Sequence, residues 1–224
     1  MITSVNSCIL AVVAPQYVVL SLLAIVVFGL WIRSRLERRP LAKLARTHGL
    51  SLQRDNESGV LDRFAELELL CRGHCRQTLD VLTGTSNAHD LTCFRFLTEL
   101  GARSRRRLVQ YVVVALEVSG ELQDVRMGKD PDLATSLRKA ALVDLFEPQR
   151  SAYCCMTPAD QSHVAAGLLT VWLAEQPEEF AWQVTPGIVA GFALYPAAAE
   201  RIAQLIAATI DLAEVLVESP STEE

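Results

Sequence analysis

From Gln16 to Ile32 no side chain is charged at neutral pH, and Arg33, Arg35, Arg38 and Arg39 follow at once. Such a run reads as a membrane helix with its stop signal. At about 1.5 Å per residue it reaches about 25 Å, slightly short of a hydrocarbon core of roughly 30 Å. The apolar character extends upstream through Cys8–Ala14, interrupted by Pro15 and Gln16, so the span begins either near 16 or near 8. Pro15 suits the first turn in the first case and kinks the helix in the second, which membrane helices tolerate. Tyr17 and Trp31 stand near the two ends, where amphipathic rings favour the headgroups.

Two other readings of this run fit less well. A cleaved signal peptide wants a basic segment before the apolar run, and residues 1–32 hold no Lys or Arg. A buried core helix rarely stays uncharged for so long. Orientation follows from the flanks. Residues 33–46 carry six basic side chains and one acid, Glu37, against no charge on the other side. The positive-inside rule then places the N-terminus outside and everything after Ile32 in the cytoplasm, at the inner (plasma) membrane. The expected organisation is a short external segment over 1–15, the membrane helix over 16–32, and a basic juxtamembrane segment with a short helix over 33–49. A cytoplasmic α+β domain follows over 50–217, then an acidic, frayed tail over 218–224.

Charge narrows the partners. The 21 basic and 26 acidic residues give a net charge of −5. All lie after residue 32, so setting aside the +5 of the flank leaves about −10 for the rest. A body so acidic argues against nucleic acid, which needs clustered positive charge. The bilayer itself is the expected partner of residues 16–32, with anionic headgroups under the basic flank. Of the six cysteines, the five beyond the anchor fall in the expected cytoplasmic domain and should stay reduced, and the even count is no sign of a disulfide framework.

Beyond the anchor, Pro40 to Gly49 reads as a short amphipathic helix with Pro40 at its start and Gly49 at its stop. Leu50–Gln53 reads as a short strand, and Val60–Leu70 has helical spacing, with Leu61, Phe64, Leu67 and Leu70 on one stripe. Alternation over Arg76–Thr83 and Asp90–Glu99, then a nearly continuous apolar, β-branched run over Leu108–Val118, predicts a three-stranded antiparallel meander whose third strand is buried on both faces. A brief strand at Leu122–Met127, a helix over Ala134–Leu145 and a strand over Arg150–Thr157 come next. A helix is expected from Pro158 to about Glu175, striped by Val164, Leu168, Val171 and Trp172. Phe180–Val184 and Ile188–Tyr195 form a hairpin across Thr185, Pro186 and Gly187. The chain closes on an amphipathic helix over Ala197–Val217. Runs of strands with separate helices, rather than strict alternation, argue for α+β: an antiparallel sheet made of a meander and a later hairpin, packed with helices.

At Leu70–Gly84 (LCRGHCRQTLDVLTG) and Asp90–Phe96 (DLTCFRF) the text resembles a family of uncharacterised bacterial membrane-anchored proteins. These have one N-terminal transmembrane helix, an Arg-Gly-His turn before a strand ending in Leu-x-Gly, and a Phe-x-Tyr-type second strand. This chain has Phe96 where the family tends to carry Tyr. The resemblance implies the topology and an α+β domain, and it carries over no site.

Three clusters bear on chemistry. Cys71, His74 and Cys75 are ligands of the kind zinc uses, but a fourth ligand is lacking and the order does not match a usual finger or haem attachment site. The plainer reading is a turn entering a strand, with Gly73 giving backbone freedom. Cys154 and Cys155 sit on opposite faces if their segment is a strand, which suits two small buried hydrophobes. Arg103, Arg105, Arg106 and Arg107 place four guanidinium groups on one hairpin, fit for a phosphate, an acidic protein or the inner leaflet. No Gly-x-Ser-x-Gly, Walker loop or His-Glu-x-x-His occurs in the sequence, so no catalytic residue and no cofactor is assigned. The reading is a single-pass membrane protein presenting a binding or interaction module. The alternative is a membrane-tethered enzyme or metal-binding domain using the Cys71/His74/Cys75 turn, and self-assembly through the C-terminal helix is a third possibility.

Overall fold

The computed structural model describes residues 3–53, 59–86, 89–101, 106–120, 122, 124–128, 142–144, 154–158, 166–177 and 179–218. Side chains are described at all of these except 3–16, 33–39, 142–144, 154–158, 166–168, 170 and 218. The chain divides into two compact units, Met1–Arg39 and Pro40–Glu224.

Helix α1 runs from Thr3 to His48. Its described side chains in the first unit, residues 17–32, are all exposed although uncharged. Among the described residues no helix is long and apolar enough to cross a membrane. The described part of the expected span is those sixteen residues, about 24 Å of helix, and its upstream continuation lies outside the described side chains. Pro40 does not open a new helix, as the sequence suggested, but lies inside α1. The turns after it bury Leu41, Leu44 and Ala45 in the core of the second unit, which keeps them helical within the unit that begins at Pro40. Gly49, at φ 65°, ends α1 in the left-handed conformation that favours glycine.

The second unit is α+β. Its strands are β1 (Ser51–Gln53), β2 (His74–Ser86), β3 (His89–Leu100), β4 (Arg107–Glu117), β5 (Val125–Gly128), β6 (Leu142–Asp144), β7 (Cys154–Pro158), β8 (Phe180–Thr185) and β9 (Ile188–Leu194). They form one sheet in the order β1-β2-β3-β4-β9-β8-β5-β7-β6, every described pairing antiparallel. The meander is β2-β3-β4 and the later hairpin is β8-β9. The hairpin docks against β4 through the register Tyr111↔Leu194 to Glu117↔Ile188. This explains the unbroken apolar run of β4: with β3 on one edge, β9 on the other and both faces covered, Tyr111–Leu116 has no solvent side.

Each face of the sheet carries its own core. On one, α1, α4 (Ala166–Ala174) and α5 (Ala199–Glu218) pack Leu44, Trp172, Leu205 and Ile206 onto Cys93, Val112, Val114 and Trp182. On the other, the segment holding α2 (Gly59–Arg63) and α3 (Glu68–Cys71) packs Phe64, Leu67 and Leu70 onto Phe94, Phe96, Val113 and Phe192. Full burial of each such side chain is worth about 1.5–3 kcal/mol. The stripe expected over Val60–Leu70 is present, but on two short helices. The backbone N–H of Glu68 donates to Gln183 Oε1 (3.0 Å), so a residue of β8 supplies the cap that α3 lacks from its own chain neighbours.

Three expectations are corrected. Leu142–Asp144, placed in a helix by its spacing, is a strand paired with β7, because cross-strand pairing outweighs local preference; residues 134–141 of that expected helix lie outside the described residues. Pro158 ends β7 instead of starting a helix, and the described helix there begins at Ala166. Among the described side chains of α4, Leu169, Trp172 and Leu173 are buried and Val171 is 67% exposed; Val164 and Leu168 of the expected stripe lie outside the described side chains. The tail at 219–224 lies outside the described residues.

Candidate functional site

The Cys71–Cys75 turn is built by the end of α3 and the start of β2. Gly73 stands at φ 75°, where a Cβ would lie 2.3 Å from Thr98 Oγ1 and 2.4 Å from the Glu99 carbonyl oxygen. The turn is therefore seated directly on β3, and only glycine fits. The Thr98 hydroxyl fixes it, donating to the Arg72 carbonyl at 2.8 Å, and Arg76 Nη1 donates back to the Leu70 carbonyl at 3.1 Å. Cys71 and Cys75 are exposed free thiols. Cys71 Sγ donates to the Ala65 carbonyl at 3.1 Å, and Cys75 itself adopts a positive φ of 52°. Among the described residues no three His, Cys, Asp or Glu side chains come together in a way that would hold a metal ion. What the geometry assigns to this turn is the tight entry into β2.

Of the arginine cluster, Arg103 and Arg105 lie outside the described residues. Arg106 and Arg107 are exposed, Arg106 with Nη1 3.7 Å from Glu99 Oε2. Leu108 beside them is 60% exposed. This edge of the β3–β4 hairpin thus presents basic and apolar groups together, on a body that is otherwise acidic.

A third place was not foreseen. An open groove of about 820 Å³ runs along α5, walled by His48 at the end of α1, Ser86 at the end of β2, and Gln176 and Pro177 after α4. Ala203, Ala207 and Ala208 leave the space along the helix, and Ile206 and Ile210 form its apolar floor. Asp211 and Glu214 stand at one end. Asp211 is fixed there, accepting a hydrogen bond from Trp172 Nε1 at 2.6 Å. The sequence held a faint signal, three alanines on the flank of an otherwise large-residue amphipathic helix, but nothing in it brings His48, Ser86 and Gln176 alongside.

No family model matches the chain, and no curated protein does. The fold is similar to that of a solved structure. It is the crystal structure of the mycobacterial trehalose monomycolate transport factor A, TtfA, with a TM-score of 0.61 and 13% sequence identity, covering 84% of this chain and 98% of that one. At that identity the likeness shows the fold alone.

The sheet also buries charge that sequence reading passed over. Asp80 and Arg95, both nearly fully buried, form an ion pair between β2 and β3. Arg95 Cζ lies 4.9 Å from the centre of the Tyr195 ring. Asp80 takes a positive φ of 49° where the β2–β3 register shifts between Leu79 and Leu82. A second network joins Arg126 of β5 to Glu68 and Asp124, tying the α2–α3 segment to the sheet. At the surface, the hydrogen bond from Arg63 holds the Glu117 carboxyl below its usual range. Burial pushes the Cys93 thiol up to about 12, which makes it inert rather than nucleophilic.

Proposed function

We propose that α1 anchors the chain in a bilayer and that residues 40–224 form a binding module on its cytoplasmic side, serving the transport of a membrane lipid. One observation carries the anchor. Thirteen large apolar side chains between Tyr17 and Ile32 are exposed around the whole circumference of the helix, most at 50–66%. A helix apolar on every side belongs in a protein core or a membrane, and moving these groups out of water is worth on the order of 20 kcal/mol. The basic residues that follow set the orientation. The transport role rests on the shared fold with a trehalose monomycolate transport factor and is an analogy of architecture. Arg106 and Arg107, with Arg103 and Arg105 in sequence, are the proposed contact for anionic lipid or an acidic partner.

The full chain should stay with membranes through alkaline carbonate extraction. Leu23→Arg with Val26→Arg, each costing about 2.5–3.5 kcal/mol at a helix centre, should release it. In a Cys8→Ser background an impermeant maleimide should reach the exposed Cys71 and Cys75 only after permeabilisation. Recovery of the unaltered chain in the soluble fraction would sink the anchor, and labelling of Cys71 in intact cells would reverse the orientation.

A further inference from the structure

We infer that the groove along α5 binds a single-chain amphiphile with an uncharged, hydroxyl-rich head. Its volume of about 820 Å³ lies within the roughly 300–1,000 Å³ typical of small-molecule sites, and its chemistry changes along its length. The floor over Ala203, Ile206, Ala207 and Ile210 offers only carbon, which suits an alkyl chain. Around it the polar groups are Gln176, Gln204, Asp211 and Glu214, with His48 and Ser86 on the facing wall.

The charges in that ring decide the head group. Among the described residues no lysine or arginine lines the groove, whereas two carboxylates do. A phosphate placed there meets like charge from Asp211 and Glu214, with the His48 imidazole the one described side chain facing it that could offset them. Sugar hydroxyls, by contrast, donate to carboxylates and both donate to and accept from glutamine amides. Asp211 is already oriented by Trp172 Nε1, so one acceptor is held in place before a ligand arrives, which lowers the ordering cost of binding. The small side chains matter as much. Ala207 is exposed, so the depression beside it is open to solvent and is not a packing void of the core.

This inference deepens the lipid-transport reading and names its ligand class, and its test is independent of anchoring. The full chain in phosphatidylcholine nanodiscs is exposed to a disaccharide bearing one medium-length acyl chain with a terminal diazirine, then irradiated and mapped by peptide mass spectrometry. Label is expected on residues 203–214 and should be competed by the same acyl disaccharide without diazirine. Ala207→Trp, which fills the groove from an exposed position, should cut that label about tenfold with an unchanged melting temperature. Glu214→Gln, the milder change, should weaken it less. The same chain on a phosphate head should label α5 about tenfold less. Label absent from α5, label indifferent to Ala207→Trp, or equal or stronger label from phosphate- or ammonium-headed probes would each overturn the assignment. Label on residues 17–32 reads lipid partitioning separately, so a failed groove and a failed anchor give different maps.

Discussion

Gly73→Ala isolates how the Arg72–His74 turn is held. Two costs add at this position. The left-handed backbone, φ 75°, costs an alanine about 1–2 kcal/mol. The new methyl would also lie 2.4 Å from the Glu99 carbonyl oxygen of β3, and overpacking of that kind costs about 1–3 kcal/mol. Restriction of the unfolded chain returns about 0.4–1 kcal/mol, so the net loss is about 1–4 kcal/mol, or roughly 3–15 °C in melting temperature for a domain of this size. Two other glycines separate the costs. Gly49 shares the positive φ, 65°, but a Cβ there meets nothing within 4 Å, so Gly49→Ala should lose about 0–1.6 kcal/mol. At Gly59 neither cost applies, and Gly59→Ala should be neutral or slightly stabilising. Adding Thr98→Ala to Gly73→Ala removes the contact with Thr98 Oγ1 but leaves the carbonyl, so it should not restore stability. Thermal melts of the full chain in nanodiscs, followed by tryptophan fluorescence, give the ranking. If Gly73→Ala melts no lower than Gly49→Ala, the turn is not seated on β3 and the account of this motif is wrong.

Arg95→Met should cost about 3–5 kcal/mol by leaving the Asp80 carboxylate buried without its cation. Asp80→Asn combined with Arg95→Met should recover a large part of that loss, and a double variant no better than the single would show that the pair is not coupled. Because Arg63 lowers the Glu117 pKa in the folded state, this pair stabilises the fold above the ordinary carboxyl pKa of about 4.3 and loses its contribution as pH falls through the lower folded value. Glu117→Gln should therefore be less stable than wild type at pH 7, by under about 1 kcal/mol for so exposed a pair, and equal to it in acid; a gap that widens in acid would contradict the sign. At pH 8 maleimide should modify the exposed Cys71 and Cys75 within minutes and leave Cys93, whose thiol burial pushes up to about 12, unreacted until the domain unfolds. Arg106→Glu with Arg107→Glu should weaken the pull-down of an acidic partner, or the protection of Leu108 on anionic nanodiscs, without shifting the melt.

What the sequence disclosed depended on how local the cause was. The meander was legible because alternation along Leu91–Phe96 directly encodes which side chains point to each core, while the expected alternation of β2 is interrupted by the register shift between Leu79 and Leu82. The closing helix was legible for the same reason. Leu142–Asp144 was not, since three residues carry no period and their partner, β7, follows ten residues later. The place of β8-β9 beside β4 was half legible: the double-sided burial of β4 demanded a second neighbour, but nothing in the residues named the hairpin.

The polar features were hidden by the same logic that makes them informative. Arg95 sits between Phe94 and Phe96, and in an alternating strand it would be taken as the solvent-facing residue. Here both faces are covered, so that position points to the side of Cys93 and Tyr195, under α1, α4 and α5, and must bring its counter-charge with it, from a β2 residue displaced by a register shift. The α5 groove inverts the case: Ala207 faces out as the helical period demands, and only the three-dimensional placement of His48, Ser86 and Gln176 turns an ordinary exposed alanine into the side of a cavity. A sheet sandwiched on both faces leaves no external sheet surface at its centre for a ligand. The proposed binding then falls to the outer rims of the covering helices, and for this chain the rim of α5 is where apolar floor and hydrogen-bonding wall coincide. That placement is why groove-filling at Ala207, rather than any change in the sheet, is the decisive test of the proposed ligand site.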